Sequence, residues 1–160
     1  MTKAQKFQFA TFVAAALLPL QALHAAETAP SREITVFKTP WCGCCQEWVE
    51  AIEAAGYSVK STDIDDLAPI KKQAGVPKEL EACHTAAIGN ERKYVIEGHV
   101  PLEAIDKLLS EQPDIRGIAT PGMPMGSLGM GDDPDAVYDV FAFTGKTGEA
   151  AQVFFRAGGR

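Results

Sequence analysis

The sequence predicts an α/β domain: a small sheet covered by helices on both faces, in the order β-α-β-α-β-β-α, followed by a Met/Gly-rich loop and a C-terminal β-hairpin. Three observations point there. Between positions 34 and 112, alternating β-branched segments take turns with segments of helical period. Gly or Pro punctuates most of the junctions. The composition, 46% hydrophobic and 22% charged in 160 residues, suits one packed domain, alone or with a small appendage.

Ile34-Thr-Val-Phe-Lys-Thr39 alternates apolar and polar side chains and reads as the first strand, ended by Pro40. Cys45, Trp48, Val49, Ile52 and Ala55 recur at helical spacing until Gly56. Tyr57 to Ile64 is a second strand, and Leu67 to Ala74 a short helix stopped by Gly75 and Pro77. Thr85 to Gly89 and Lys93 to Ile96 form two strands around a turn at Gly89-Asn90. Pro101 opens a helix that puts Leu102, Ile105, Leu108 and Leu109 on one face, and Pro113 stops it. Residues 114–134 are rich in Gly, Met and Pro without a period and read as a long loop. Tyr138 to Phe143 and Gln152 to Arg156 make the hairpin, within residues 137–156.

Residues 1–26 read as a signal peptide rather than as part of the fold. Lys3 and Lys6 precede an apolar run from Phe7 to Leu18, then Pro19 and the small residues up to Ala26. An uncleaved anchor is the alternative, but the run is short for a span of roughly 20 residues. Cleavage leaves residues 27–160 as the mature domain, with no membrane span. It removes two of 15 basic residues and His24, so 13 basic stand against 21 acidic, and only His84 and His99 remain. No basic block exists, which argues against nucleic acid and anionic membranes as partners. The expected location is periplasmic. An exported chain meets oxidising conditions, where paired thiols close unless metal or reductant holds them.

Chemistry concentrates in Trp41-Cys-Gly-Cys-Cys45, at a strand-to-helix junction. Unpaired N–H groups and the helix dipole favour thiolate there. Cys42 and Cys45 have the C-x-x-C redox spacing. The pattern and the element order resemble the thioredoxin active site and fold. That resemblance makes Cys42 the exposed attacking thiol, Cys45 its buried partner, and the pair the catalytic candidates. It also places Cys83, just ahead of a strand, opposite the Cys42–Cys45 loop. Cys44 stands where a thioredoxin-like site usually has Pro. Three thiols in four residues suit a soft metal, Cu(I), zinc or an iron–sulfur centre, better than a clean redox pair. Two structural disulfides are the bland alternative, disfavoured because Cys42 and Cys44 are too close in sequence for an easy bridge and the adjacent Cys44 and Cys45 closer still.

Zinc in a closed four-cysteine site normally uses two separated knuckles, a weak match to three ligands at one end. Met123, Met125 and Met130 lie in one Gly-flanked loop, and thioethers favour Cu(I) over zinc. Met also fills gaps in cores, but an aperiodic loop is not a usual core segment. His84 follows Cys83 directly and His99 lies in Gly98-His-Val-Pro101; each is a ligand, a supporting residue or simply structural. The candidate metal ligands are therefore Cys42, Cys44, Cys45, Cys83, His84, His99, Met123, Met125 and Met130, with copper as the metal. Asp63, Asp65, Asp66, Asp132 and Asp133 read as solvated loop charge.

Four segments, Cys-Gly-Cys-Cys-Gln-Glu-Trp (42–48), Cys-His-Thr-Ala (83–86), Val-Ile-Glu-Gly-His-Val-Pro (95–101) and Pro-Gly-Met-Pro-Met-Gly-Ser (121–127), together resemble the CopG-like periplasmic copper-resistance proteins. That metal-binding family has long been catalogued as a domain of unknown function. The resemblance runs from about Ile34 to Phe155. It implies a thioredoxin-like fold, export, copper binding through Cys42, Cys44, Cys45 and Cys83, and a role in handling excess copper. The chain has Leu128 and Met130-Gly131 where the family pattern has Pro and Met-Glu. Three functions remain open at this stage: a redox-active copper protein holding more than one Cu(I), a copper carrier or sequestering protein for an efflux system, and a thiol–disulfide oxidoreductase. The first would need a redox partner, the second an efflux partner.

Overall fold

The structure, a computed structural model, describes residues 32–158; the predicted signal peptide, residues 1–26, lies outside the described residues. The first seven main elements follow the predicted order: β1 (Glu33–Lys38), α1 (Gly43–Ala54), β2 (Ser58–Asp63), α2 (Ala68–Ala74), β3 (Thr85–Ile88), β4 (Tyr94–Gly98) and α3 (Leu102–Glu111). A single 3₁₀ turn, Lys78–Leu80, was not anticipated. Three strands complete the chain, β5 (Gly117–Thr120), β6 (Tyr138–Phe143) and β7 (Gln152–Ala157).

The seven strands form one sheet in the order β2-β1-β3-β4-β5-β6-β7. β1 runs parallel to β2 and β4 parallel to β5, and the remaining neighbours are antiparallel. Each parallel pair needs a crossover, which α1 and α3 supply. Register aligns Val36, Ala86, Ile96 and Ile118 across four strands. This apolar row meets Trp48, Val49 and Ile52 of α1 and Ile105 and Leu108 of α3 in the main core. Residues of the other parity, Val95, Ala119 and Phe143, pack on the opposite face against Val76 and Leu80. The central strand β4 is buried at all five positions, as expected of a strand covered on both sides.

β5 corrects the expectation of an unbroken loop over residues 114–134. Gly-Ile-Ala-Thr is four residues long and buried throughout, so it offers no alternation to read. Gly117 is there because of packing. A Cβ at that position would lie 2.2 Å from the Val95 carbonyl oxygen and 2.9 Å from the Phe143 ring. β5 also joins the terminal hairpin to the main sheet. Among the described residues no helix is long and apolar enough to cross a membrane.

Candidate metal centre

Cys42 is the N-cap of α1, in extended conformation and without a side-chain cap hydrogen bond. Cys44 and Cys45 therefore fall in the first turn, beside backbone N–H groups that lack helical partners. Cys45 points inward and is fully buried with Trp48 and Ile52, whereas Cys42 and Cys44 are half-buried. Cys42 and Cys45 form a disulfide, and Cys44 and Cys83 are free. The Cys42 and Cys44 sulfurs lie 3.6 Å apart.

Cys83 arrives from the other side, in the residues that lead into β3. One sulfur from each of Cys42, Cys44, Cys45 and Cys83 lies within 4.8 Å of every other. A second, overlapping group of donors, Cys45, Cys83, His84 and His99, meets the same limit. Both imidazoles are fully buried. The His84 ring lies 4.5 Å from that of Trp48 and meets His99 edge-on at 5.1 Å. His84 Nδ1 is 3.8 Å from Cys83 Sγ, and His84 Nε2 has no hydrogen-bond partner among the described residues. His99 Nε2 is 3.0 Å from Cys83 Sγ, and its Nδ1 is 2.7 Å from the Leu128 carbonyl oxygen. A carbonyl only accepts, so Nδ1 carries the proton and Nε2 presents its lone pair to the sulfur.

The Met-rich loop covers this arrangement. A Cβ on Gly129 would lie 2.7 Å from the Trp48 backbone nitrogen and 2.8 Å from the Cys44 carbonyl oxygen, so the loop sits directly on the first turns of α1. Ser127 is buried, with its Oγ donating to the Pro124 carbonyl, and the Met130 N–H donates to the Ser127 carbonyl. Met123 and Met125 are exposed and Met130 is half-buried. The structure thus gathers the six predicted Cys and His residues, while the three thioethers stand on the covering loop.

A family model described as a protein of unknown function, DUF411, matches residues 80–130, the stretch that carries Cys83, His84, His99 and the loop. No curated protein matches the chain. Two solved structures are similar. One is copper resistance protein CopG, form 1, 36% identical with a TM-score of 0.70, covering 81% of this chain and 99% of that one. The other is form 2 of copper resistance protein CopG, also 36% identical, with a TM-score of 0.68 and coverage of 78% and 96%. This chain belongs to the CopG copper-resistance family.

The donor set of this chain fits a soft ion. Two sulfurs bound to one ion at about 2.3 Å lie at most about 4.6 Å apart, close to the separation limit of the cluster. Thiolate and imidazole favour copper and zinc over hard cations. Burial pushes the Cys83 thiol up to about 12, with the negative charge of Cys44 adding to the effect. Burial pushes His84 down to about 3, and His99 also below its ordinary range. Without metal, Cys83 is thus a protonated thiol among neutral imidazoles, and a cation bound there would have to displace that proton. The centre also rests on residues that sequence reasoning missed. Glu97 and Lys71 are buried and paired beside the Cys83 turn. An acidic residue inside the otherwise apolar run Tyr94-Val-Ile-Glu-Gly98 was the available signal.

Proposed function

We propose that this protein is an exported copper-binding protein that takes up Cu(I), more than one ion per chain, on Cys42, Cys44, Cys45 and Cys83, with His84 and His99 completing the donor set. The reading rests on one observation: the isolated sulfur of Cys83 lies within 4.8 Å of all three sulfurs of the α1 trio. Bridging thiolates let four sulfurs serve several Cu(I) ions, each content with few ligands. The exposed Met123 and Met125 offer thioethers on the way in. The copper-resistance names of the similar structures, the signal-peptide pattern and the thioredoxin-like element order support the same reading.

Copper and thiol redox meet at one place in this scheme. When the Cys42–Cys45 dithiol closes, it releases two electrons and two protons, and each electron reduces one Cu(II) to Cu(I). Reopening the disulfide takes two electrons and two protons from a periplasmic reductant, and Cu(I) leaves for an efflux system. The observed Cys42–Cys45 disulfide at a helix N-terminus also favours a second reading, a thiol–disulfide oxidoreductase.

Anaerobic titration of the fully reduced mature chain with Cu(I), then with Zn(II), separates these. Bound metal and alkylatable thiols are counted together. The copper reading expects more than one Cu(I) per chain and simultaneous protection of all four thiols. Free alkylation of Cys83 at saturating Cu(I) would overturn it, and turnover of disulfide substrates indifferent to copper would establish the second reading.

A further inference from the structure

The Cys83 turn is held by a buried polar brace that takes no part in the ligand set. Glu97 lies opposite Thr85 in the β3–β4 pairing, on the sheet face away from α1. Its Oε1 accepts from the Ala82 backbone N–H at 2.7 Å and from Lys71 Nζ at 2.5 Å. Its Oε2 accepts from Thr85 Oγ at 2.6 Å, and Lys71 Nζ donates to that same hydroxyl at 3.1 Å. The side chains of Lys71 and Glu97 are 7% and 0% exposed. Ala82 and Thr85 bracket Cys83 and His84, so one carboxylate fastens both ends of that dipeptide. Along its own strand Glu97 leads to His99, and between them the Gly98 N–H donates to the His84 carbonyl.

A buried ion pair is a poor device for stability alone, because apolar residues of similar volume commonly do as well or better. What an apolar pair cannot do is accept the Ala82 N–H and the Thr85 hydroxyl. We propose that Glu97, neutralised by Lys71, is a positioning residue that fixes the Cys83–His84 turn and the start of the His99 segment before metal arrives. This rests on the copper reading of the centre above. Supporting groups of this kind typically carry about 10- to 100-fold in metal affinity.

The test compares two uncharged double variants, Lys71→Met with Glu97→Gln and Lys71→Met with Glu97→Leu. The glutamine amide keeps an oxygen for the Ala82 N–H, and the leucine side chain offers none. Cu(I) affinity is measured by competition with a chromophoric chelator, and the sulfur-to-copper ultraviolet band is recorded. The Gln variant is expected to stay near the unaltered protein, and the Leu variant to bind at least about tenfold more weakly with an altered band. Equal affinity and equal spectra in the two folded variants would overturn the proposal. Hydrogen exchange of the Ala82 amide in the unaltered, metal-free protein decides the matter independently of whether the variants fold. Protection like that of core β3 amides is expected, and exchange at the rate of an open loop would also overturn it. If the unaltered protein binds no Cu(I), the copper reading fails, while the Ala82 amide still reports on the brace.

Discussion

The Leu128 carbonyl oxygen accepts a hydrogen bond from His99 Nδ1 at 2.7 Å, so a backbone group of the Met-rich loop sets the tautomer of an imidazole whose other nitrogen faces Cys83 at 3.0 Å. Which ring nitrogen ligates is decided by the bond the other one makes. In the metal-free protein, nitrogen–proton NMR correlations should show His99 neutral and protonated at Nδ1. A proton at Nε2 would contradict the arrangement. His99→Gln replaces the facing imidazole nitrogen with an amide, a poor Cu(I) donor, and should weaken Cu(I) binding by roughly tenfold or more in chelator competition.

The approach of that loop to α1 makes Gly129 a sharp test of how the centre is covered. Its φ of +80° disfavours side chains, and a Cβ would also press on Trp48 N and Cys44 O. Gly122 shares the strained backbone, with φ +71°, but has open space around it. Gly122→Ala should therefore cost about 1 kcal/mol, and Gly129→Ala roughly 3 kcal/mol. Urea unfolding of the two variants measures the difference. Equal midpoints would mean that the loop does not bear on the helix.

The sequence made the sheet legible where period and punctuation coincide. β1, α1, α2 and α3 announce themselves by alternation, helical spacing and a Gly or Pro at the end. β5 was hidden because a four-residue strand buried on both faces has no period, and because its Gly117 reads as a loop residue until the Val95 and Phe143 contacts are seen. At the centre, the cysteine trio was visible as a cluster, and Cys83 through its place before β3. The donors that orient it were not. Leu128 acts through its backbone carbonyl, which no side chain advertises, and Lys71 looks like any polar residue of a short surface helix until Glu97 appears beneath it.

Alkaline stability tests a contact far from the centre. The hydroxyl of the buried Tyr57 donates to Asp106 at 3.0 Å in a part-buried contact, and burial, then that carboxylate, push it up from 10.0 to about 12. The unfolded state gives up this proton near pH 10 and the folded state near 12, so between these values the unfolded chain binds fewer protons. Stability from Tyr57 is thus complete below pH 10 and lost as pH rises toward 12, by something of order 2 kcal/mol. Tyr57→Phe should lack this part of the alkaline decline in urea titrations from pH 9 to 12. Parallel curves for the two proteins would exclude the effect.

Cys44→Pro separates the copper centre from a plain dithiol. Proline is tolerated here because the first-turn N–H groups have no helical acceptor to lose. Its ring crowds the backbone N–H and the Cβ of the preceding residue, and Gly43 lacks the Cβ. The variant should fold, and Cys42 and Cys45 should still close their disulfide, since neither sulfur depends on Cys44 for its place. What it removes is the sulfur 3.6 Å from Cys42 and within 4.8 Å of Cys83. In the reduced variant Cu(I) stoichiometry should fall and binding should weaken by at least about tenfold, whereas the oxidised variant should show the Cys42–Cys45 disulfide by mass spectrometry under non-reducing conditions. Undiminished stoichiometry would show that the third thiol is no ligand, and the four-sulfur assignment would then have to be abandoned.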